Sequence, residues 1–196
     1  MPNPNVFVPC NPFESEEMDY RHDHLPHIQV PGATYFITFR THNFRILSQH
    51  AREIALTSIH YWNKQRLILF EAVVMPDHVH LIAKPLKKDE DNYWDLSVIL
   101  HSIKSFSANE INRIEGTVGS TVWQSERYDR VIRDINELAH GLEYITLNPI
   151  KAGLVEADSG ESYAYLYHAL GMKGDEWKEM AMVMAGWKPA QQGKIN

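Results

Sequence analysis

Residues Leu67 to Met75 make a run of strand length that is apolar but for Glu71, and after Pro76-Asp77 a second such run occupies His78 to Lys84. A turn pair between two apolar stretches of this length folds the chain back on itself as a β-hairpin. Side chains alternate between the faces of a strand, so His78 and His80 project the same way while Val79 and Leu81 go the other. Two neutral imidazoles on one face make half of a divalent-metal site; the alternative is a pair of partly exposed histidines on a sheet face. Glu71 and Asp77 are carboxylates close by in sequence. Glu71 can orient an imidazole as a hydrogen-bond acceptor, or stand exposed on the surface.

Around that hairpin the pattern alternates between strand and helix. Ala33 to Arg40, opened by Pro31-Gly32, is rich in Thr and aromatics and reads as a strand. Ile46 to Lys64 carries Leu47, Ala51, Ile54, Ala55, Ile59 and Trp62 at helical spacing, with Ser48 placed as a cap. Trp94 to Ile114 reads as a second long helix, and Val122 to Val131 contains a short strand. The last helix runs inward through Leu138, Leu142 and Ile145 and is closed by Pro149. On it Tyr144 and Asn148 stand four apart and share a face. Tyr144 can present its phenol there or pack in the core, and Asn148 can present an amide oxygen or cap the helix end. Strand, helix, strand, strand, helix, strand is the split β-α-β order of a ferredoxin-like α+β fold, an antiparallel sheet with helices on one face and the other face open to a ligand.

With 196 residues, 44% of them hydrophobic, the chain can bury one good core. The pattern divides it into an arm over residues 1–29, a core over 30–155 and an extension over 156–196. No apolar run is long enough to span a bilayer, and no export signal precedes the core, so a soluble, cytoplasmic protein is expected. The single Cys10 excludes an internal disulfide framework. The Pro- and Asn-rich start, Met1 to Pro12, reads as a mobile segment. A net charge of −6 is unlike a nucleic-acid binder, but the acidity lies in the arms: residues 1–29 hold one arginine against five carboxylates, and 156–196 four lysines against six. The core carries fourteen charges of each sign. Lys84, Lys87 and Lys88, with Arg127, Arg130 and Arg133, can form a local basic face or be solvated surface charge.

Several motifs occur in a particular order: Leu25-Pro26-His27, Tyr35-Phe36-Ile37-Thr38-Phe39-Arg40, Met75-Pro76-Asp77-His78-Val79-His80-Leu81, Lys104-Ser105-Phe106, Val122-Trp123-Gln124, Tyr128-Asp129-Arg130-Val131-Ile132-Arg133 and Tyr144-Ile145-Thr146-Leu147-Asn148-Pro149. In this order they resemble the REP-associated tyrosine transposases, a branch of the IS200/IS605-like single-tyrosine HUH transposases. The resemblance spans roughly residues 20 to 155. It implies a metal-dependent endonuclease and strand transferase acting on single-stranded DNA with REP-type hairpins. Tyr144 would be the nucleophile of a 5′-phosphotyrosine intermediate, and His78, His80 and Asn148 the ligands of Mg²⁺ or Mn²⁺. It also marks His27, Arg40, Lys84, Lys104 and Gln124 as candidate DNA contacts, together with Arg127, Arg130 and Arg133. Trp123 reads either as core or as a platform for an unpaired base. A monomer or a homodimer is expected, with no membrane partner. Two further readings stay open, a metal-dependent hydrolase that uses water and a hairpin-DNA binder that does not cut.

Overall fold

A computed structural model of the chain describes residues 19–23, 25–156 and 163–168. Asp19–Asp23 (β1) and Leu25–Gln29 (β2) pair as an antiparallel hairpin. A five-stranded antiparallel sheet follows, built from Tyr35–Thr41 (β3), Leu67–Val74 (β4), His78–Pro85 (β5), Trp123–Val131 (β6) and Leu166–His168 (β7). Its order is β6-β3-β5-β4-β7. The first four strands, with helices Gln49–Tyr61 (α1) and Leu96–Glu115 (α2) between them, give the ferredoxin-like split β-α-β arrangement that the sequence predicts.

Local chemistry sets the helix starts. Ser48 Oγ accepts from the Ala51 N–H at 3.2 Å, and Asp95 accepts from the Ser97 N–H at 2.7 Å, each satisfying a donor that the first turn leaves unpaired. Gly116, at φ +67°, ends α2 in the left-handed region. The third helix, Ile135–Lys151 (α3), starts at Asp134, which accepts from the Asn136 and Glu137 N–H groups. α3 does not close at Pro149, as the sequence led us to expect, but continues to Lys151. Proline here removes only the bond to the Ile145 carbonyl, one turn from the end. The Ala152 N–H still reaches the Asn148 carbonyl at 3.0 Å. Asn148 therefore lies inside the helix, not at its cap.

β4 is buried at every position because the sheet is covered on both sides. α1 and α2 pack together on one face, with Trp123 Nε1 donating to Ser107 Oγ of α2 at 2.9 Å and the Trp123 ring edge-on to Phe39. α3 lies on the other face, against β4 and β5. A Cβ at Gly141 would stand 2.9 Å from Ile82 Cδ1 and 3.4 Å from Phe36 Cδ2, so the absent side chain lets the helix come down onto β5 and β3. β6 is a nine-residue strand, longer than predicted.

The segment after the predicted core returns to the sheet. Tyr163 donates its hydroxyl to the Val74 carbonyl at 3.1 Å and accepts from Arg52, and Asn63 donates to the Tyr167 hydroxyl at 2.9 Å. These anchors lay β7 along β4, extending the core beyond residue 155. Cys10, Met1 to Pro12, Trp177 and Trp187 lie outside the described residues. No helix among the described residues is long and apolar enough to cross a membrane.

Candidate nucleophile and metal centre

The turn between β4 and β5 is closed by the Met75 N–H on the His78 carbonyl at 2.8 Å. It is tied to the end of β3 by the Thr41 N–H and hydroxyl, both donating to the Asp77 carbonyl. This fixes the register in which Thr38 faces His80 and Arg40 faces His78. The two imidazoles share one face, as period-two alternation requires, with ring centroids 4.7 Å apart. Val79 and Leu81 go into the core on the other side.

Each imidazole has its Nδ1 occupied. His78 Nδ1 donates to Asp77 Oδ1 at 2.6 Å, and Thr38 Oγ1 lies 2.7 Å from His80 Nδ1. With Nδ1 held, Nε2 is the nitrogen that each ring could offer a metal, which is how carboxylate and hydroxyl partners orient histidine ligands. Burial, reinforced by the charges of His78 and Arg40 and opposed by Asp77, brings the His80 pKa down to about 3. The ring is thus neutral, as a metal ligand must be.

α3 brings Tyr144 to the same place. Its ring stands edge-on to His80 at 5.2 Å and to Phe36 at 5.9 Å, and Lys151 Nζ lies 5.7 Å from its ring centre. Tyr144 is 43% exposed, unlike the core tyrosines Tyr35, Tyr163 and Tyr165. One turn on, Asn148 is half-buried on the same helix face. Among the described residues no three His, Cys, Asp or Glu side chains converge as a metal cage. The two imidazoles on one face, with Asn148 on the neighbouring helix, are nonetheless the side chains that could hold Mg²⁺ or Mn²⁺. Between Tyr144 and Asn148, Thr146 donates to Glu71 Oε1 at 2.7 Å and to the Leu142 carbonyl at 3.0 Å. Glu71 is 1% exposed, which corrects the expectation of a surface carboxylate. It is held by the tyrosine helix.

A cleft of about 420 Å³ opens beside these groups, walled by Thr38, His80, Tyr128, Arg130 and Tyr144 over Phe36 and Gly141. Of the predicted DNA contacts, Arg130 lines the cleft, while Arg40 faces His78 across the β3–β5 pairing. Arg40 sits 3.7 Å from Asp77, and the Arg130 guanidinium lies over the Phe36 ring while pairing with Glu137. Lys84 is on the same strand face as the histidines, four residues along. Arg133 is engaged beyond the end of β6 by Glu137. Lys104, Gln124 and Arg127 gather on the opposite face of the sheet, between α2 and β6. Trp123 is 6% exposed, packed on Phe39 and bonded to Ser107, so it is core and not a stacking platform. His27 lies on β2, opposite Arg21, and its side chain is outside the described residues. Thr38 and His140, which also line the cleft, carry no sequence signal because their neighbours are set by strand register and helix docking.

The fold and site together define an α+β protein in which a His-x-His strand and a tyrosine-bearing helix face one another across a cleft. No family model matches the chain. A curated Haemophilus influenzae protein, provisionally named as a REP-associated tyrosine transposase, is 33% identical over 99 residues, covering 44% of this chain and 53% of that protein. The chain thus matches about half the length of that relative. The solved structure of a REP-associated tyrosine transposase bound to a REP hairpin superposes with a TM-score of 0.53 at 25% identity, covering 70% of this chain and 76% of the other. A provisionally named Deinococcus radiodurans transposase gives a TM-score of 0.42 at 19% identity, over 60% of this chain and 91% of that one. In sequence and in fold, the chain resembles the REP-associated tyrosine transposases.

Proposed function

We propose that the chain is a tyrosine-dependent, metal-dependent endonuclease and strand transferase acting on single-stranded DNA at REP-type hairpins. The observation that carries this reading is the packing of an exposed Tyr144 against His80, beside a His78 whose Nδ1 is likewise held by a partner. The Tyr144 phenol oxygen attacks phosphorus. A P–O bond forms, the bond to the 3′ oxygen breaks, and the departing oxygen leaves as a 3′-hydroxyl. Because the energy of the broken bond is kept in the 5′-phosphotyrosine, a new 3′-hydroxyl can reverse the step and complete strand transfer. A divalent cation, when bound, would polarise a non-bridging phosphate oxygen. His78, His80 and Asn148 would hold it, Asp77 and Thr38 orient the imidazoles, and Arg40 and Arg130 offer positive charge to the phosphates on either side.

The test is to incubate labelled single-stranded hairpin DNA with the chain and Mg²⁺ or Mn²⁺ and resolve the products on a denaturing gel. A covalent adduct is expected with the native chain and none with Tyr144→Phe, hairpin binding being retained. Cleavage by Tyr144→Phe would leave a hydrolase that uses water, and binding without cleavage by the native chain would leave a hairpin binder.

A further inference from the structure

On the face of the sheet away from the histidines, α2 and β6 enclose a second cavity, of about 470 Å³. Its floor is apolar, formed by Leu100, Ala108 and Val122, while His101, Lys104 and Arg127 stand around it. Among the described residues no carboxylate lines it, in a chain whose net charge is −6. Lys104 and Arg127 are fixed in place, and burial, with Arg127 alongside, brings the Lys104 ammonium pKa down to about 8. Lys104 Nζ donates to the carbonyls of Gln124 and Ser125, the latter at 2.9 Å, and Arg127 Nη2 donates to Ser97 Oγ at 2.9 Å. Arg127 Nε is buried without a hydrogen bond, 3.4 Å from Asp129 in an ion pair.

We infer that this cavity binds a nucleotide, its phosphate against Lys104, Arg127 and His101 and its base on the apolar floor within reach of the Gln124 amide. An apolar floor with a few convergent polar groups, at this volume, is the usual build of a small-ligand site. Positive groups with no lining acid select an anion, and the floor selects one that carries a flat ring. Continuity with the cleft favours a nucleotide within a strand: Tyr128 and Arg130 of β6 wall the cleft, Gln124 and Arg127 of the same strand line the cavity, and β6 is the outermost strand of the sheet. A single strand can thus pass over that edge from one face to the other. The inference rests on the DNA-processing reading above for the source of the nucleotide, not for the site.

The test measures binding alone, so that it stands apart from cleavage. Equilibrium binding of a 5′-phosphorylated, dye-labelled deoxytrinucleotide is compared in the native chain, His101→Ala, Arg127→Met and the cleft variant His80→Ala. Each cavity variant should weaken binding by about threefold to tenfold, the scale of one charge-assisted contact, and His80→Ala should not. His101 is exposed and carries the test should Arg127→Met melt early. Unlabelled dTMP competing as well as unlabelled trinucleotide supports a free nucleotide as the source, and much weaker competition supports a strand. Unchanged affinity in folded His101→Ala and Arg127→Met, or a loss confined to His80→Ala, overturns the inference.

Discussion

His80 shows how one buried side chain serves two ends. Its burial, which keeps the ring neutral, also makes the fold sensitive to acid. In the folded chain its pKa is about 3 against 6.5 when unfolded, so between those values the unfolded chain binds more protons. The contribution of neutral His80 to stability is complete above pH 6.5 and is lost as the pH falls toward 3. Urea midpoints measured across this window should therefore fall more steeply for the native chain than for His80→Gln. Parallel slopes would mean that His80 is not the group that matters. The identity of the two imidazoles was legible in the sequence because strand alternation is local. Their partners differed: Asp77 adjoins His78 in the chain, but Thr38 reaches His80 only through the pairing of β3 with β5.

At the scale of elements, the placing of α3 decides whether Tyr144 meets the histidines. Gly141 gives the helix its approach, and Thr146 ties it to Glu71. Gly141→Ala puts a methyl against Ile82 Cδ1, the end of a side chain with some freedom, so a modest stability cost of about 1–2 kcal/mol is expected from overpacking. Adduct yield should fall further than stability does, because the helix rides outward. Gly141→Ala with Ile82→Val removes the opposing atom and should restore both; a double variant no better than the single one would place the damage elsewhere. Strands β3, β4 and β5, the three helices and the Ser48 cap followed from signals that lie within one turn or one strand, whereas β1, β2 and β7 did not. Pro149 misled because a proline near a helix end costs little, and Glu71 because nothing near it in sequence marks a buried carboxylate. Its partner is 75 positions away.

For the whole molecule, the distribution of charge sets how it meets DNA. With a neutral core and acidic arms, affinity for unrelated duplex should be weak and collapse between low and physiological salt, because phosphate contacts alone supply it. A hairpin with a single-stranded flank should hold better as salt rises, since stacking and base-edge contacts are not screened. Titrating the flanked hairpin, the bare stem and an unrelated duplex at two salt concentrations checks this. Equal affinity for all three would remove the hairpin reading.

β7 has a consequence for the chain's behaviour in solution. It is short, but it occupies the outer hydrogen-bonding groups of β4, with Tyr163 and Tyr167 clamping it to the helix side. Without it, a long strand that is apolar but for Glu71 would show a bare ladder to its neighbours, and such an edge recruits other chains. A chain ended before Tyr163 should accordingly sediment as larger species and precipitate on concentration, while the longer chain does not.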